Sequence, residues 1–372
     1  MRRRAPRAIR DVIARRRAHT EACVYAERGA PGEVLRVASI PLPDELGEDD
    51  VRVRVLAAPV NPSDVNMIEG KYPVARELPA CGGNEMVGEV TACGTRALAR
   101  GARTGDRVVP NRSYALGTWR REVVANANAF DVIDRDVPVH EAAMMTVNPC
   151  TALRLLVDND AREGDTIVVN AATSGVGRAL LQLARARGIR TIAMCRPRSS
   201  ETATEEVFES LRADGADVVI PDVEGKFLRL DAKTRELATR ARFGFNAVSG
   251  YSAQTMLRLL QPNASSVMVT YGGMSKQPLV VPTGAFIFKD ITLKGFWLTR
   301  WLEHDENTTQ GAGRRDMLAQ ISREIRDGAL RTPSSRLRDV PLRGLPEALR
   351  LDAAADLDPS ASIGRLKILV RC

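Results

Sequence analysis

Three short stretches carry residues able to do chemistry. The first, "NPSDVNMIEGKYP" at residues 61–73, places Asn61, Ser63, Asn66 and Tyr72 in one loop that has no Cys or His. Its polar side chains can donate hydrogen bonds, and a phenol holds its proton at neutral pH. On these residues alone, a lone Tyr more commonly packs as an amphipathic group with its hydroxyl in water, and proton donation to a substrate is the alternative. The second stretch is "NAATSGVG", where Ser174-Gly175-Val176-Gly177 follows the apolar run "TIVV" and opens a helical pattern. Glycines there let the backbone approach a pyrophosphate, whose charge is favoured at a helix N-terminus. The full G-x-G-x-x-G is absent, because Ala171 and Thr173 occupy its first part. The reading therefore rests on the strand, turn and helix that surround the glycines. The third, "MCRPRSS", closes the next strand with Arg196 and Arg198 and no acid. An NAD site usually keeps Asp or Glu there for the ribose 2′-OH, whereas paired guanidiniums suit a 2′-phosphate. The cofactor expected is NADPH.

Metal chemistry has no obvious ligand set. His19, His140 and His304 lie far apart, and the six cysteines (Cys23, Cys81, Cys93, Cys150, Cys195, Cys372) include no C-x-x-C pair. Neither a structural zinc spacing nor a disulfide framework is present. Asn84-Glu85 in "GGNE" supplies a single carboxylate without a His. The expected chemistry is metal-free.

These stretches need elements to position them. From Ala22 to Phe130 the pattern is mostly β: "DVRVRVLAAPV" and "GEVLRVASI" alternate at period two, and "EMVGEVTACG" and "GDRVVP" are short runs bounded by Gly. This predicts a β-rich domain with barrel character. From Thr146 strands and helices alternate: "TALRLLVDND", "DTIVVN", "RALLQLARARG", "IRTIAMC", "SSETATEEVFESLRADG", "ADVVI", "FGFNAVSG", "SSVMVTYGG" and "ITLKGFWL". That texture predicts a doubly wound parallel sheet. "HDENTTQGAG" reads as a polar loop, a helix is expected over 314–328, and "RLKILVRC" reads as a closing strand. The charged stretch 221–242 has no clear assignment beyond one helix.

The 372 residues carry a net charge of +8, of which the first twenty, with eight Arg and one Asp, hold +7. The remainder is close to neutral and lacks interleaved aromatic and basic residues, which argues against nucleic-acid binding. No run reaches the roughly 18 apolar residues of a membrane span. The Arg-rich, acid-poor tail, with Ile9, Val12 and Ile13 on one helical side, fits a mitochondrial transit peptide or a disordered basic tail.

"NPSDVNMIEGKYP", "GGNEMVGEV", "GTWRREVV", "VNPCTALRLL", "NAATSGVG", "MVTYGGMSKQP" and "FIFKDITLKGFWL" extend over most of residues 55–300. Together they resemble the medium-chain dehydrogenase/reductase superfamily, and within it the zinc-free 2-enoyl thioester reductases of mitochondria. The resemblance implies an α/β chain with a β-rich GroES-like catalytic domain and a doubly wound Rossmann cofactor domain. The expected division is a tail at 1–21, the catalytic domain at 22–145, the NADPH domain at 146–300 and a return to the catalytic domain at 301–372. It implies Tyr72 as proton donor. It implies cofactor contacts from Asn148, Thr173, Ser174, Gly175, Val176, Arg196, Arg198, Tyr271, Gly272, Gly273, Met274, Phe296, Trp297 and Leu298, and from Arg365 where relatives often have Lys. Lys71-Tyr72-Pro73 departs from the family's Asn-Tyr-Gly, and Pro73 biases Tyr72 toward extended backbone.

The activity implied is NADPH-dependent reduction of enoyl-CoA or enoyl-acyl carrier protein in the mitochondrial matrix, by a homodimer. The competing expectations are a zinc-free quinone oxidoreductase and a non-catalytic cofactor-binding scaffold.

Overall fold

The run Thr166–Val169 is buried along its whole length, as a strand covered on both faces must be. It lies inside a six-stranded parallel sheet ordered Val218–Pro221, Arg190–Cys195, Thr166–Val169, Ala241–Asn246, Val267–Thr270, Thr292–Gly295. The order reverses beside Thr166–Val169, which opens a crevice at the carboxyl ends of the strands. The computed structural model that shows this describes residues 18–112, 114, 116–223, 230–263, 265–357 and 366–372, without the side chains of 354–357.

The earlier part of the chain forms a second, mixed sheet. Asp50–Pro59 pairs with Val87–Cys93 and Glu122–Asn126, and Val87–Cys93 leads on to Arg107–Pro110 and Phe130–Ile133. The last strand, Lys367–Arg371, returns from the C-terminus to pair antiparallel with Ala57–Pro59, and Leu337–Pro341 lies outside it. A small sheet of His19–Tyr25, Arg36–Pro41 and Ala80–Cys81 packs nearby. Trp119 is fully buried there and donates Nε1–H to the Pro59 carbonyl at 3.1 Å. A Cβ at Gly82 or Gly83 would come within 2.5 Å of that indole, and Gly83 has φ +88°, so the "GG" before Asn84 is required by a close approach.

The two sheets share one core. Ala57, Val87 and Leu369 of the mixed sheet belong to the same buried cluster as Ile167 and Phe245 of the cofactor sheet and Leu153 and Leu180 of the helices packed on it. The crevice between the sheets is therefore held by apolar packing.

Three local expectations are corrected. "HDENTTQGAG" is no loop: Leu298–Thr309 is a helix, Gln310 and Gly311 turn with φ +54° and +73°, and Ala312–Arg326 follows. The buried Asp305 explains why polar residues sit here, since its carboxylate accepts from the backbone N–H of Gly313 (3.1 Å) and Arg314 (2.8 Å), capping the next helix. In "GEVLRVASI" the first residues form the helical turn Pro31–Val34, and only Arg36–Pro41 is strand. "ITLKGFWL" stops as a strand at Gly295, because a helix begins at Leu298. Within 221–242 the structure places a helix at Ala232–Ala238, while residues 224–229 lie outside the described residues.

Candidate active site

The "NPSDVNMIEGKYP" stretch begins as a helix, Pro62–Ile68, and becomes a turn only after it. Pro62 occupies the first helical position, where its missing N–H costs nothing. The Asp64 carboxylate accepts from the Asn61 N–H at 2.6 Å and fixes the helix entry. Gly70, at φ +74°, then reverses the chain, and the Lys71 N–H bonds to the Asn66 carbonyl. This swings Tyr72 across the crevice. Its hydroxyl lies 3.1 Å from Nε1 of Trp297, which can only donate, and 2.8 Å from the hydroxyl of Tyr114. The Trp297 ring stands edge-on to Tyr72, with centroids 6.4 Å apart. Trp297 precedes the helix at Leu298, so its hydrogen bond joins the cofactor sheet to the catalytic stretch.

Beneath this lies a buried polar network. Asn61 donates Nδ2–H to Glu85 at 2.7 Å and accepts on Oδ1 from Lys367 Nζ (2.5 Å) and Asn148 Nδ2 (3.2 Å). The other Glu85 oxygen accepts from the Thr146 hydroxyl (2.9 Å) and the Val147 N–H (2.8 Å). Burial pushes the Glu85 carboxyl above its ordinary pKa, against the Lys367 charge, and pushes Asp64 up to about 7. Burial likewise pulls the Lys367 ammonium down, while Glu85 and Asp64 resist that shift. Every oxygen of Glu85 is thus committed to holding Asn61, Thr146 and Val147. Among the described residues no group of three or more His, Cys, Asp and Glu is arranged to hold a metal ion.

The glycine turn is built for a close neighbour. Ser174 caps the helix Gly175–Ala186 by accepting from the Gly177 N–H at 3.1 Å. The first N–H groups of a helix have no partner within it and favour negative charge. A Cβ at Gly177 would lie 2.6 Å from the Ala171 carbonyl oxygen, and one at Gly175 would lie 2.8 Å from Asn148 Nδ2. Asn148 therefore touches both the turn and the buried network. Tyr271 follows the strand Val267–Thr270 and buries its hydroxyl close to Ser174.

Arg196 and Arg198 leave the strand Arg190–Cys195 at its carboxyl end, Arg196 exposed and Arg198 half-buried. Arg198 Nε is buried with no partner, although its Nη1 donates to the Arg196 carbonyl at 2.9 Å. The partnerless buried Nε of Arg198, a capped helix N-terminus and a turn with little room for a Cβ fit a dinucleotide carrying a 2′-phosphate. The expected positions Tyr72 and Trp297 meet directly, as do Asn148 and Gly175. Gly272, Gly273 and Met274 line the surface after the strand at 267–270, with Met274 56% exposed. Phe296 packs against the core and Leu298 is buried in it, so the alternation leaves Trp297 facing the crevice. Arg365 lies outside the described residues.

Sequence reasoning overlooked Tyr114 and Lys367. Among the described residues of this segment, Lys367 is the cation that reaches the network. Strand alternation in "LKILV" held the signal, because Ile368 and Val370 pack in one cluster while Lys367 and Leu369 face the crevice side. Tyr114 sits in "NRSYALG", which has no periodic pattern to place it.

The comparisons with known proteins agree with this geometry. Residues 47–130 match the alcohol dehydrogenase GroES-like domain family, and residues 175–311 match the zinc-binding dehydrogenase family. The mitochondrial enoyl-[acyl-carrier-protein] reductase of Arabidopsis thaliana is 42% identical over 89% of this chain and 84% of its own length. The human enzyme of the same name is 39% identical over 89% of this chain and 85% of its own. Among solved structures, the Etr1p/NADP/crotonyl-CoA complex superimposes with a TM-score of 0.81 and 27% identity, covering 95% of this chain and 100% of that one. The mitochondrial 2-enoyl thioester reductase Etr1p/Etr2p heterodimer from Candida tropicalis gives a TM-score of 0.81 at 28% identity over the same shares. The chain belongs to the enoyl-[acyl-carrier-protein] reductase family.

Proposed function

We infer that this protein reduces trans-2-enoyl thioesters, on CoA or acyl carrier protein, to saturated acyl thioesters with NADPH. The observation that carries the reading is the Tyr72 hydroxyl held against Trp297, where the catalytic stretch meets the cofactor sheet. NADPH supplies the hydride that C3 of the enoyl group accepts. Conjugation then moves charge onto the thioester oxygen, and C2 must receive a proton. Tyr72 gives that proton from its hydroxyl. Trp297 donates to the same oxygen, which fixes the phenol and favours the negative charge left on it. The backbone N–H groups at Ser174–Val176 would hold the pyrophosphate, and Arg196 and Arg198 would take the 2′-phosphate. Asn148, Tyr271–Met274 and Phe296–Leu298 shape the nicotinamide end.

Supporting features extend to location and assembly. The relatives are named mitochondrial, and an Arg-rich tail precedes the domains, so we place the protein in the mitochondrial matrix. A reporter fused to residues 1–25 and left in the cytosol would remove that placement. We propose the division at residues 21, 145 and 300; family matches over 47–130 and 175–311 and the strand that returns at Lys367–Arg371 support two domains with a C-terminal return. A homodimer is favoured by the edge strand Thr292–Gly295, whose outer side is open, and by the exposed Phe286, Ile287 and Phe288 before it. Sedimentation as a monomer at micromolar concentration would count against it.

The direct test follows NADPH consumption with crotonyl-CoA and, in parallel, with a quinone. Rapid turnover of the thioester and little of the quinone is expected. The reverse order would make the chain a quinone oxidoreductase, and no turnover of either would leave a cofactor-binding scaffold.

A further inference from the structure

Tyr72 is not alone in the crevice. The Tyr114 hydroxyl reaches it at 2.8 Å from a different segment, the connection after the strand Arg107–Pro110. The rings lie 5.5 Å apart and tilted by 47°. That connection is pinned, since Arg76 donates Nε–H to the Tyr114 carbonyl at 3.0 Å. The same guanidinium donates to the Cys81 carbonyl (3.1 Å), the Gly83 carbonyl (2.8 Å) and Asn84 Oδ1 (2.8 Å). Through Arg76, Tyr114 is therefore tied to Cys81, Gly83 and Asn84, the residues just before Glu85.

We propose that Tyr114 is a positioning residue for proton transfer, donating to the Tyr72 oxygen so that the Tyr72 proton faces the substrate. The proposal rests on Tyr72 as the proton donor.

A phenol oxygen carries one proton and accepts through its lone pairs. Trp297 has no acceptor, so its contact with Tyr72 runs one way only. Either hydroxyl could donate in the contact with Tyr114, and a donating Tyr114 fits its surroundings. Burial raises the pKa of Tyr114, and a charge on Tyr72 raises it further. Tyr114 thus keeps its own proton as Tyr72 releases one. With both Trp297 and Tyr114 donating, the Tyr72 oxygen has its accepting positions filled and its O–H free to turn outward. Both contacts strengthen as negative charge grows on that oxygen, so they act more in the transition state than in the ground state. If Tyr72 instead donated to Tyr114, its proton would point away from the substrate.

The test is a cycle of Tyr72→Phe, Tyr114→Phe and the double variant, with crotonyl-CoA as substrate and NADPH affinity read separately by fluorescence. Phe keeps each ring, and unchanged NADPH binding reports an intact fold. Tyr114→Phe should lower kcat by about 10- to 100-fold, the loss of one hydrogen bond to a charged group. KM and NADPH affinity should stay within about twofold, the spread expected for an uninvolved site. In the Tyr72→Phe background the second change should add less than about twofold, because its effect passes through the missing oxygen. A silent Tyr114→Phe, or one whose full cost persists without the Tyr72 hydroxyl, overturns the proposal and leaves the donor assignment standing. A silent Tyr72→Phe overturns both.

Discussion

Tyr72→Phe should lower kcat by about 10²–10⁴-fold, the usual contribution of a positioned general acid, with a smaller change in KM. The substitution takes away one hydroxyl and nothing else. The ring stays, so its packing against the Tyr114 and Trp297 rings persists. Trp297 loses an acceptor at 3.1 Å, but the site is half-open and water can replace it. NADPH affinity should change little, because Phe keeps the ring that stands against Trp297. Solvent remains as a slow proton source, so a single turnover should still oxidise NADPH. Steady-state rates at saturating crotonyl-CoA check this. A Tyr72→Phe enzyme within about threefold of wild type, far short of a general-acid loss, would return Tyr72 to a packing role.

The second large effect concerns cofactor choice. Replacing Arg196 and Arg198 together with Ala should weaken NADPH binding by about 10- to 100-fold and NADH binding little. Arg196 is exposed, so solvent and salt screen its share and keep the total toward the lower figure at high ionic strength. Arg198 contributes more, because its partnerless Nε is already desolvated. Fluorescence titration with both cofactors gives the ratio directly. Equal weakening of NADH and NADPH would mean that the pair serves the loop and does not read the 2′-phosphate.

Much of this site was legible in the sequence where a local pattern forced the structure. "TIVVNAATSGVG" announced strand, turn and helix because an unbroken apolar run and glycines without room for a Cβ admit few alternatives. The short strand after it was equally plain. The catalytic stretch was half legible: Tyr72 stood out by type, yet the helix Pro62–Ile68 was read as loop. Seven residues rich in Asn, Ser and Asp have weak helical propensity, and the Asn61–Asp64 cap that starts them is a tertiary detail. The polar "HDENTTQ" helix was missed for a related reason, since Asp305 is buried as a cap for its neighbour. Least legible were contacts between distant segments. Asn61 meets Lys367 across 306 residues and Tyr72 meets Trp297 across 225, and no single-sequence periodicity encodes such pairs.

The central claim is that hydrogen from NADPH reaches C3 of an enoyl thioester while C2 takes its proton from the protein and, through it, from solvent. Isotope tracing tests this most directly: crotonyl-CoA is reduced in ordinary water with NADPH deuterated at C4 on both faces, and the product is examined by NMR. The account predicts a saturated butyryl thioester with one deuterium at C3 and none at C2, and the converse pattern when unlabelled NADPH is used in D2O. Deuterium from the cofactor at C2, or cofactor oxidation that leaves the thioester unchanged, would contradict it.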